Sequence, residues 1–206
     1  FTPVKLMMAE MAGDLQDVLD EHGGETALEY KFDGARIQVH RRGDEVRVFS
    51  RRLTDVTASV PEVTEVARRL PAKEFLIEGE VIALDAQGKP RPFQDLMRRF
   101  RRVHDIDALR REIPLRLCVF DIIYRDGEVL IGRPYRERWD LLASLVPPEL
   151  LARRTIARTV PEIEAFLKEA MEAGHEGLMA KALDSDYVPG KRGKKWFKIK
   201  PVETLD

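Results

Sequence analysis

Apolar and polar positions change their period repeatedly along this chain, and each change marks an element. Residues 6–22 set apolar and acidic side chains at helical spacing, and His22-Gly23-Gly24 supplies the stop, which predicts one helix. Alternation over 27–32 and 34–41 predicts two strands. Arg42-Gly43-Asp44 is a turn, and 45–50 returns as a third strand, so the region reads as a meander. Residues 60–70 are helical in pattern and open with Pro61-Glu62. A long strand pattern over 75–85 stops at Ala86-Gln87-Gly88, and 93–102 reads as a short basic helix. The continuous apolar run 115–124 fits a central strand. Amphipathic helices are expected at 134–145 and 161–173, then closing strands at 176–182 and 195–200. A polar loop with Gly190 and Gly193 lies between the two strands, over 184–194. The sum is an α+β domain with mostly antiparallel sheets.

Composition narrows the class. The 206 residues are 44% hydrophobic, enough to bury a core as one large domain or two small ones. With 35 Lys and Arg against 36 Asp and Glu, the formal net charge is −1, so any basic surface must be local. The single cysteine, Cys118, lies within an apolar run and reads as a buried reduced thiol, which rules out a disulfide framework and favours an intracellular setting. No stretch has the length and apolarity of a membrane span. The chain begins at Phe1 rather than Met and is expected to be a piece of a longer protein.

The chemistry concentrates at Lys31-Phe32-Asp33-Gly34-Ala35-Arg36, between two strand-like runs. A glycine there lets the backbone approach a ligand closely. A lysine attacks only as the free amine, so it needs burial or a cationic neighbour. Lys198 and Lys200 alternate on a predicted strand, so both ammonium groups would share one face beside Lys31 and favour its neutral form. Taken singly, each feature has a plainer reading. The two lysines fit a solvated strand face, Phe120 fits core packing, and Glu80 and Glu176 fit surface acids. G-x-x-x-x-G-K-[ST] and G-x-G-x-x-G are both missing, and His22, His40, His104 and His175 lack metal-ligand spacing.

Taken in order, the segments resemble a known family. Glu29-Tyr30-Lys31-Phe32-Asp33-Gly34-Ala35-Arg36 is similar to the first motif of the nucleotidyltransferases that adenylate or guanylate their own lysine: DNA ligases, RNA ligases and capping enzymes. Phe49-Ser50-Arg51, Ile77-Glu78-Gly79-Glu80-Val81-Ile82-Ala83, Val119-Phe120-Asp121-Ile122-Ile123-Tyr124, Glu176-Gly177-Leu178-Met179-Ala180-Lys181 and Trp196-Phe197-Lys198-Ile199-Lys200 resemble its later motifs in the same order. The likeness is greatest to the adenylation domain of ATP-dependent DNA ligases of archaea and eukaryotes, including Pro3-Val4-Lys5-Leu6-Met7-Met8-Ala9 as the entry segment.

The resemblance implies the covalent nucleotidyltransferase fold and a set of roles. Lys31 would attack the α-phosphate of ATP and hold AMP, with Lys198 and Lys200 neutralising phosphate charge. Glu29 would accept a hydrogen bond from the adenine amino group, Phe120 would stack on the ring, and Glu80 would hold the ribose hydroxyls. Arg36 and Arg51 would reach the ribose side and the 5′-phosphate of a nick, and Lys181 would join the nucleotide site. Glu80 and Glu176 would serve Mg²⁺. Asp33 would either orient Lys31 or help deprotonate the 3′-hydroxyl of the nick. Arg98, Arg99, Arg101 and Arg102 around Phe100, with Lys191 and Arg192 in the late loop, would contact DNA phosphates. The implied partner is nicked double-stranded DNA, and a sliding clamp reached through other domains stays open. The chain is expected to be a monomer, in a prokaryotic cytoplasm or a eukaryotic nucleus. The family's N-terminal DNA-binding domain and C-terminal oligonucleotide-binding domain have no counterpart within these residues. An RNA ligase or capping-type enzyme, and a non-catalytic nucleic-acid binding module, remain the alternatives.

Overall fold

In a computed structural model the chain is described over residues 1–101 and 104–201. Among these residues ten strands form two five-stranded sheets. β1 (Met8–Met11), β2 (Thr26–Lys31), β8 (Arg154–Ala157), β9 (Gly177–Lys181) and β10 (Arg192–Ile199) make the first, in the order β1-β10-β9-β2-β8. β3 (Ala35–Arg42), β4 (Glu45–Ser50), β5 (Glu74–Ala83), β6 (Leu115–Arg125) and β7 (Glu128–Val129) make the second, in the order β4-β3-β5-β6-β7. The β1–β10 pair is parallel and the other ladders are antiparallel, as an α+β reading requires.

Helices cover the outer faces. α2 (Pro61–Arg69), α3 (Phe93–Arg101) and α5 (Tyr135–Leu145) pack on the second sheet, where Ile37, Val39, Val63, Leu96 and Leu142 share one core. α1 (Leu15–Glu21) and α6 (Val160–Glu172) cover the first sheet. Helix α6 presents Ile163, Phe166 and Ala170 to Leu28 and Leu178 at i, i+3 and i+7 spacing. A helix of its 13 residues is marginal alone. Burying Ile163 and Phe166 contributes about 2 kcal/mol each and holds it in place.

Two expectations need correction, and two elements went unread. The helix read over 6–22 is two elements. Met8–Met11 is drawn into a strand by pairing with β10, and the helix starts only after Asp14, whose carboxylate accepts the Gln16 N–H at 2.9 Å. The meander is broken, because β2 and β3 lie in different sheets. The chain crosses between sheets at Asp33-Gly34, where a Cβ on Gly34 would strike the Val81 carbonyl oxygen. Only β3 and β4 form the expected hairpin. Finally, α4 (Ile106–Glu112) and the short edge strand β8 carry patterns too brief to read in advance.

Candidate active site

The crossover between sheets determines how Lys31 is presented. It is the last residue of β2, paired with Gly177 at the start of β9. The same ladder sets Glu29 opposite Met179, and β10 adds Lys198 beside Met179. From the second sheet, Arg36 pairs with Glu80, and Glu80 with Cys118, two residues before Phe120. These elements enclose a cleft of about 800 Å³ between the two sheets. Glu29, Lys31, Asp33, Arg36, Arg51, Glu80, Phe120, Glu176, Lys181 and Lys198 all line it.

Charge in the cleft is sorted by position. Lys31 Nζ makes an ion pair with Glu176, both side chains partly exposed. Burial, then the positive charges of Arg192, Lys31, Arg51 and Lys200, holds the Lys198 ammonium below its ordinary value. Such a cationic cluster suits polyphosphate. Glu80 sits on the opposite wall. Burial pushes its pKa up to about 7 against the pull of Arg36 and Lys31, and its Oε2 is buried without a hydrogen-bond partner. A buried, unpartnered carboxylate oxygen of this kind awaits a donor such as a ribose hydroxyl.

Around Lys181 the cleft wall is aromatic and rigidly tied. Phe120 and Trp196 flank the Lys181 ammonium, each ring centroid 4.3 Å from Nζ. Lys181 donates to Glu29 Oε1 at 2.8 Å, with both side chains 2% exposed. The Tyr135 hydroxyl donates to the other Glu29 oxygen. Burial, and next the Glu29 charge, raises the Tyr135 phenol well above its usual range. Sequence reasoning missed Tyr135, since nothing around residue 135 sets it apart from a helix-start tyrosine. Trp196 and Met179 line the cleft too, and were quoted in the motifs without a role.

Several expected residues lie elsewhere or are engaged otherwise. Arg36 lines the cleft, but its guanidinium is tied to Glu78 at 2.8 Å and to the Met7 carbonyl at 2.6 Å. Lys200 falls one residue past β10, exposed and outside the cleft lining, although its charge still reaches Lys198. Arg99 is not a surface cation. It is fully buried, pairs with Glu62 at 2.6 Å and donates to the Ile113 and Ser59 carbonyls at 2.8 and 3.2 Å. Its helix position turns it into the core while Arg98 and Arg101 face out. Arg98 pairs with Glu112 at 3.0 Å, and Arg101 lines the cleft mouth with Phe93, Met97 and Phe100. Arg102 lies outside the described residues. Lys191 and Arg192 are exposed, and Arg192 opens β10 instead of lying within the expected loop over 184–194, and it reaches the cleft.

Among the described residues no group of three or more His, Cys, Asp and Glu is arranged to hold a metal. Glu80 and Glu176 alone fit the sparse carboxylate set that Mg²⁺ takes when phosphates and water supply its other ligands. No helix among the described residues is long and apolar enough to cross a membrane.

The cleft brings aromatic side chains such as Phe120 and Trp196 together with the cations Lys31, Arg51, Arg192 and Lys198, a combination whose chemistry suits a nucleotide. The chain belongs to the family described as the ATP dependent DNA ligase domain, which it matches over residues 6–200. It is 49% identical over 209 residues to the DNA ligase of Thermococcus fumicolans, spanning 99% of this chain and 37% of that protein. It is likewise 49% identical to a probable DNA ligase of Anaeromyxobacter dehalogenans strain 2CP-C, spanning 99% of this chain and 40% of the relative. Among solved structures, a mycobacterial DNA ligase D complexed with ATP and MES superposes with a TM-score of 0.71 at 27% identity, over 96% of this chain and 60% of that one. The fold is that of the nucleotidyltransferase domains of ATP-dependent DNA ligases, as the sequence motifs led one to expect. The chain thus spans less than half the length of these two DNA ligases.

Proposed function

We propose that this chain is the adenylation domain of an ATP-dependent DNA ligase, which charges Lys31 with AMP, passes it to the 5′-phosphate of a nick, and supports sealing by the 3′-hydroxyl. The observation that carries the reading is the setting of Lys31. Its Nζ touches the Glu176 carboxylate and lies within electrostatic reach of Lys198, in a cleft walled by Glu80 and Phe120.

Each group then has a task. Glu176 takes the proton that Lys31 must lose before it can attack. The amine forms a bond to the α-phosphorus, the bond to the bridging oxygen breaks, and pyrophosphate leaves with the electron pair. Lys198, Arg51 and Arg192 neutralise phosphate charge during the displacement. Glu29 accepts from the adenine amino group, Phe120 flanks the ring, and Glu80 receives a ribose hydroxyl. Mg²⁺, held by Glu80, Glu176 or both, would add charge neutralisation at the phosphates. Asp33, which lines the cleft two residues from Lys31, would either orient Lys31 or take the later proton from the 3′-hydroxyl. Arg98, Arg101, Lys191 and Arg192 remain as DNA phosphate contacts, and this small set calls for weak, salt-sensitive binding. Nick sealing therefore draws on polypeptide beyond these residues, in keeping with the 37% of the Thermococcus relative's length that they match.

The test is intact-protein mass spectrometry after incubation with ATP or GTP, with peptide mapping of the adduct. One AMP on Lys31 and none from GTP is the expected result. Labelling by GTP in preference would move the protein to the capping-type enzymes. The absence of any adduct, with ATP bound, would leave a non-catalytic binding module. Sealing of a nicked DNA duplex against a nicked RNA duplex, by the protein with its flanking domains, decides the polymer.

A further inference from the structure

A second cleft, of about 430 Å³, opens on the other side of the residues that flank Lys31. Tyr30 and Phe32 form part of its wall, along with Ile82, Cys118 and Trp139. Arg116, Arg153 and Arg154 also line it, with His175, and among the described residues no Asp or Glu does. The function proposed above uses none of these four side chains.

Their partners leave charge uncompensated. Arg153 is neutralised at the surface by Glu169, at 3.3 Å. Arg116 donates to the Glu149 carbonyl at 3.3 Å, which contributes no negative charge. Arg154 lies with its guanidinium 4.7 Å from the Trp139 ring centroid and 5.3 Å from that of Tyr135. Its Nε is buried without a hydrogen-bond partner, and so is Nδ1 of His175. A half-buried guanidinium fixed between rings, with a donor left unmade, costs free energy unless an acceptor arrives. Burial, and then the charge of Arg116, already holds the His175 imidazole below its ordinary value, as expected in a positive cleft.

We propose that this cleft is a second ligand site, distinct from the ATP cleft, that takes a nucleoside monophosphate: the phosphate held by Arg116 and Arg154, the base against Trp139 and the aromatic wall. The volume suits a ligand of that size, and flat rings beside guanidinium donors are the chemistry that recognises a base carrying a phosphate. The site abuts both neighbours of Lys31 in sequence, so its occupant would sit directly behind the nucleophile's strand end.

Equilibrium dialysis with labelled AMP tests this without relying on the function proposed for the first cleft. The protein is compared with Arg116→Gln and with the double variant Arg116→Gln/Arg154→Gln, each checked for fold by circular dichroism. The double variant should bind one AMP fewer than the parent: one against two if the ATP cleft also takes AMP, none against one if it does not. Arg116→Gln, at an exposed position, should weaken the affected site about tenfold, the loss of one charge-assisted hydrogen bond. That variant carries the test if the double variant does not fold. Adenosine and inorganic phosphate should each compete for this site more weakly than AMP. Equal stoichiometry in all proteins, with unchanged affinity in Arg116→Gln, would overturn the proposal, as would full displacement of this AMP by phosphate alone at matched concentration.

Discussion

Lys31 and Glu176 are joined twice. The Glu176 backbone N–H donates to the Lys31 carbonyl at 3.1 Å, and the two side chains form an ion pair. The backbone bond fixes the strand ends in register, so the carboxylate meets the amine at a defined point rather than by chance of rotamer. Gly177 makes this possible, because a Cβ there would strike the Ile199 carbonyl oxygen of β10.

Replacing Lys31 by Ala or Arg should abolish AMP attachment, the second because guanidinium stays protonated. Glu176→Ala should retain the fold, since its side chain is partly exposed, and slow self-adenylation on the order of 10²-fold, typical of a lost proton acceptor. Single-turnover labelling with ATP measures both. A normal rate in Glu176→Ala would assign the ion pair to anchoring alone.

The Tyr135–Glu29–Lys181 cluster changes what removal of Glu29 should do. A carboxylate seen only as an adenine contact could be deleted at little structural cost. Here its loss strands Lys181, 1% exposed, without a counter-ion, and breaking a buried pair costs about 3–5 kcal/mol. Glu29→Ala should therefore unfold at markedly lower denaturant. Tyr135→Phe removes one hydrogen bond to Glu29 and costs about 1–2 kcal/mol, while loosening the carboxylate proposed to read adenine. Its ATP-over-GTP preference should fall more than its rate with ATP. Urea melts and paired labelling rates check the two claims, and an unchanged preference would confine Tyr135 to stability.

What the sequence revealed tracks what is local. The alternation over 45–50, the apolar run over 115–124 and the amphipathic helix at 134–145 were readable because each is a pattern carried within its own element. The Lys31 motif was readable because its spacing is chemical. The β2–β3 break was not, since alternation continues across Asp33-Gly34 while the sheet changes beneath it. Met8–Met11 joined a strand because of β10, nearly the whole chain away, and that contact overrode a helical pattern. Arg99 showed the same limit at one residue. A run of arginines states charge, but its helix rotation and the position of Glu62 decide which one is buried.

Arg99 should prove a stability residue. Its guanidinium satisfies Glu62 and two backbone carbonyls inside the second core, so Arg99→Ala leaves those acceptors unmet and opens space beside Leu96. A loss of about 3–5 kcal/mol is expected by urea denaturation. Arg98→Ala, at an exposed ion pair, should change stability by less than about 1 kcal/mol. In DNA binding across a salt series the order should reverse, with Arg98→Ala and Arg101→Ala lowering the slope and the folded fraction of Arg99→Ala binding as the parent does.

Glu80 should make the unliganded protein less stable as pH rises. Its folded pKa is about 7 against an ordinary 4.5, so the folded state favours the protonated carboxyl. The associated stability is complete below pH 4.5 and is lost as pH climbs through 7. A shift of that size corresponds to about 3 kcal/mol between the two limits. Glu80→Gln is neutral throughout and lacks this loss. Urea denaturation of both proteins at pH 5 and pH 8, without nucleotide and with chelator present, isolates the effect, because the other titrating groups are common to both. The stability of Glu80→Gln relative to the parent should rise by about 2.5 kcal/mol between the two pH values, because part of the effect is already lost at pH 5. A flat difference would mean that Glu80 is ionised in the folded cleft at both, held so by Arg36 and Lys31, the cations acting on it from β3 and β2. The same variant should bind ATP more weakly at pH 8 than the parent does, since an ionised Glu80 accepts from ribose hydroxyls more strongly than an amide oxygen.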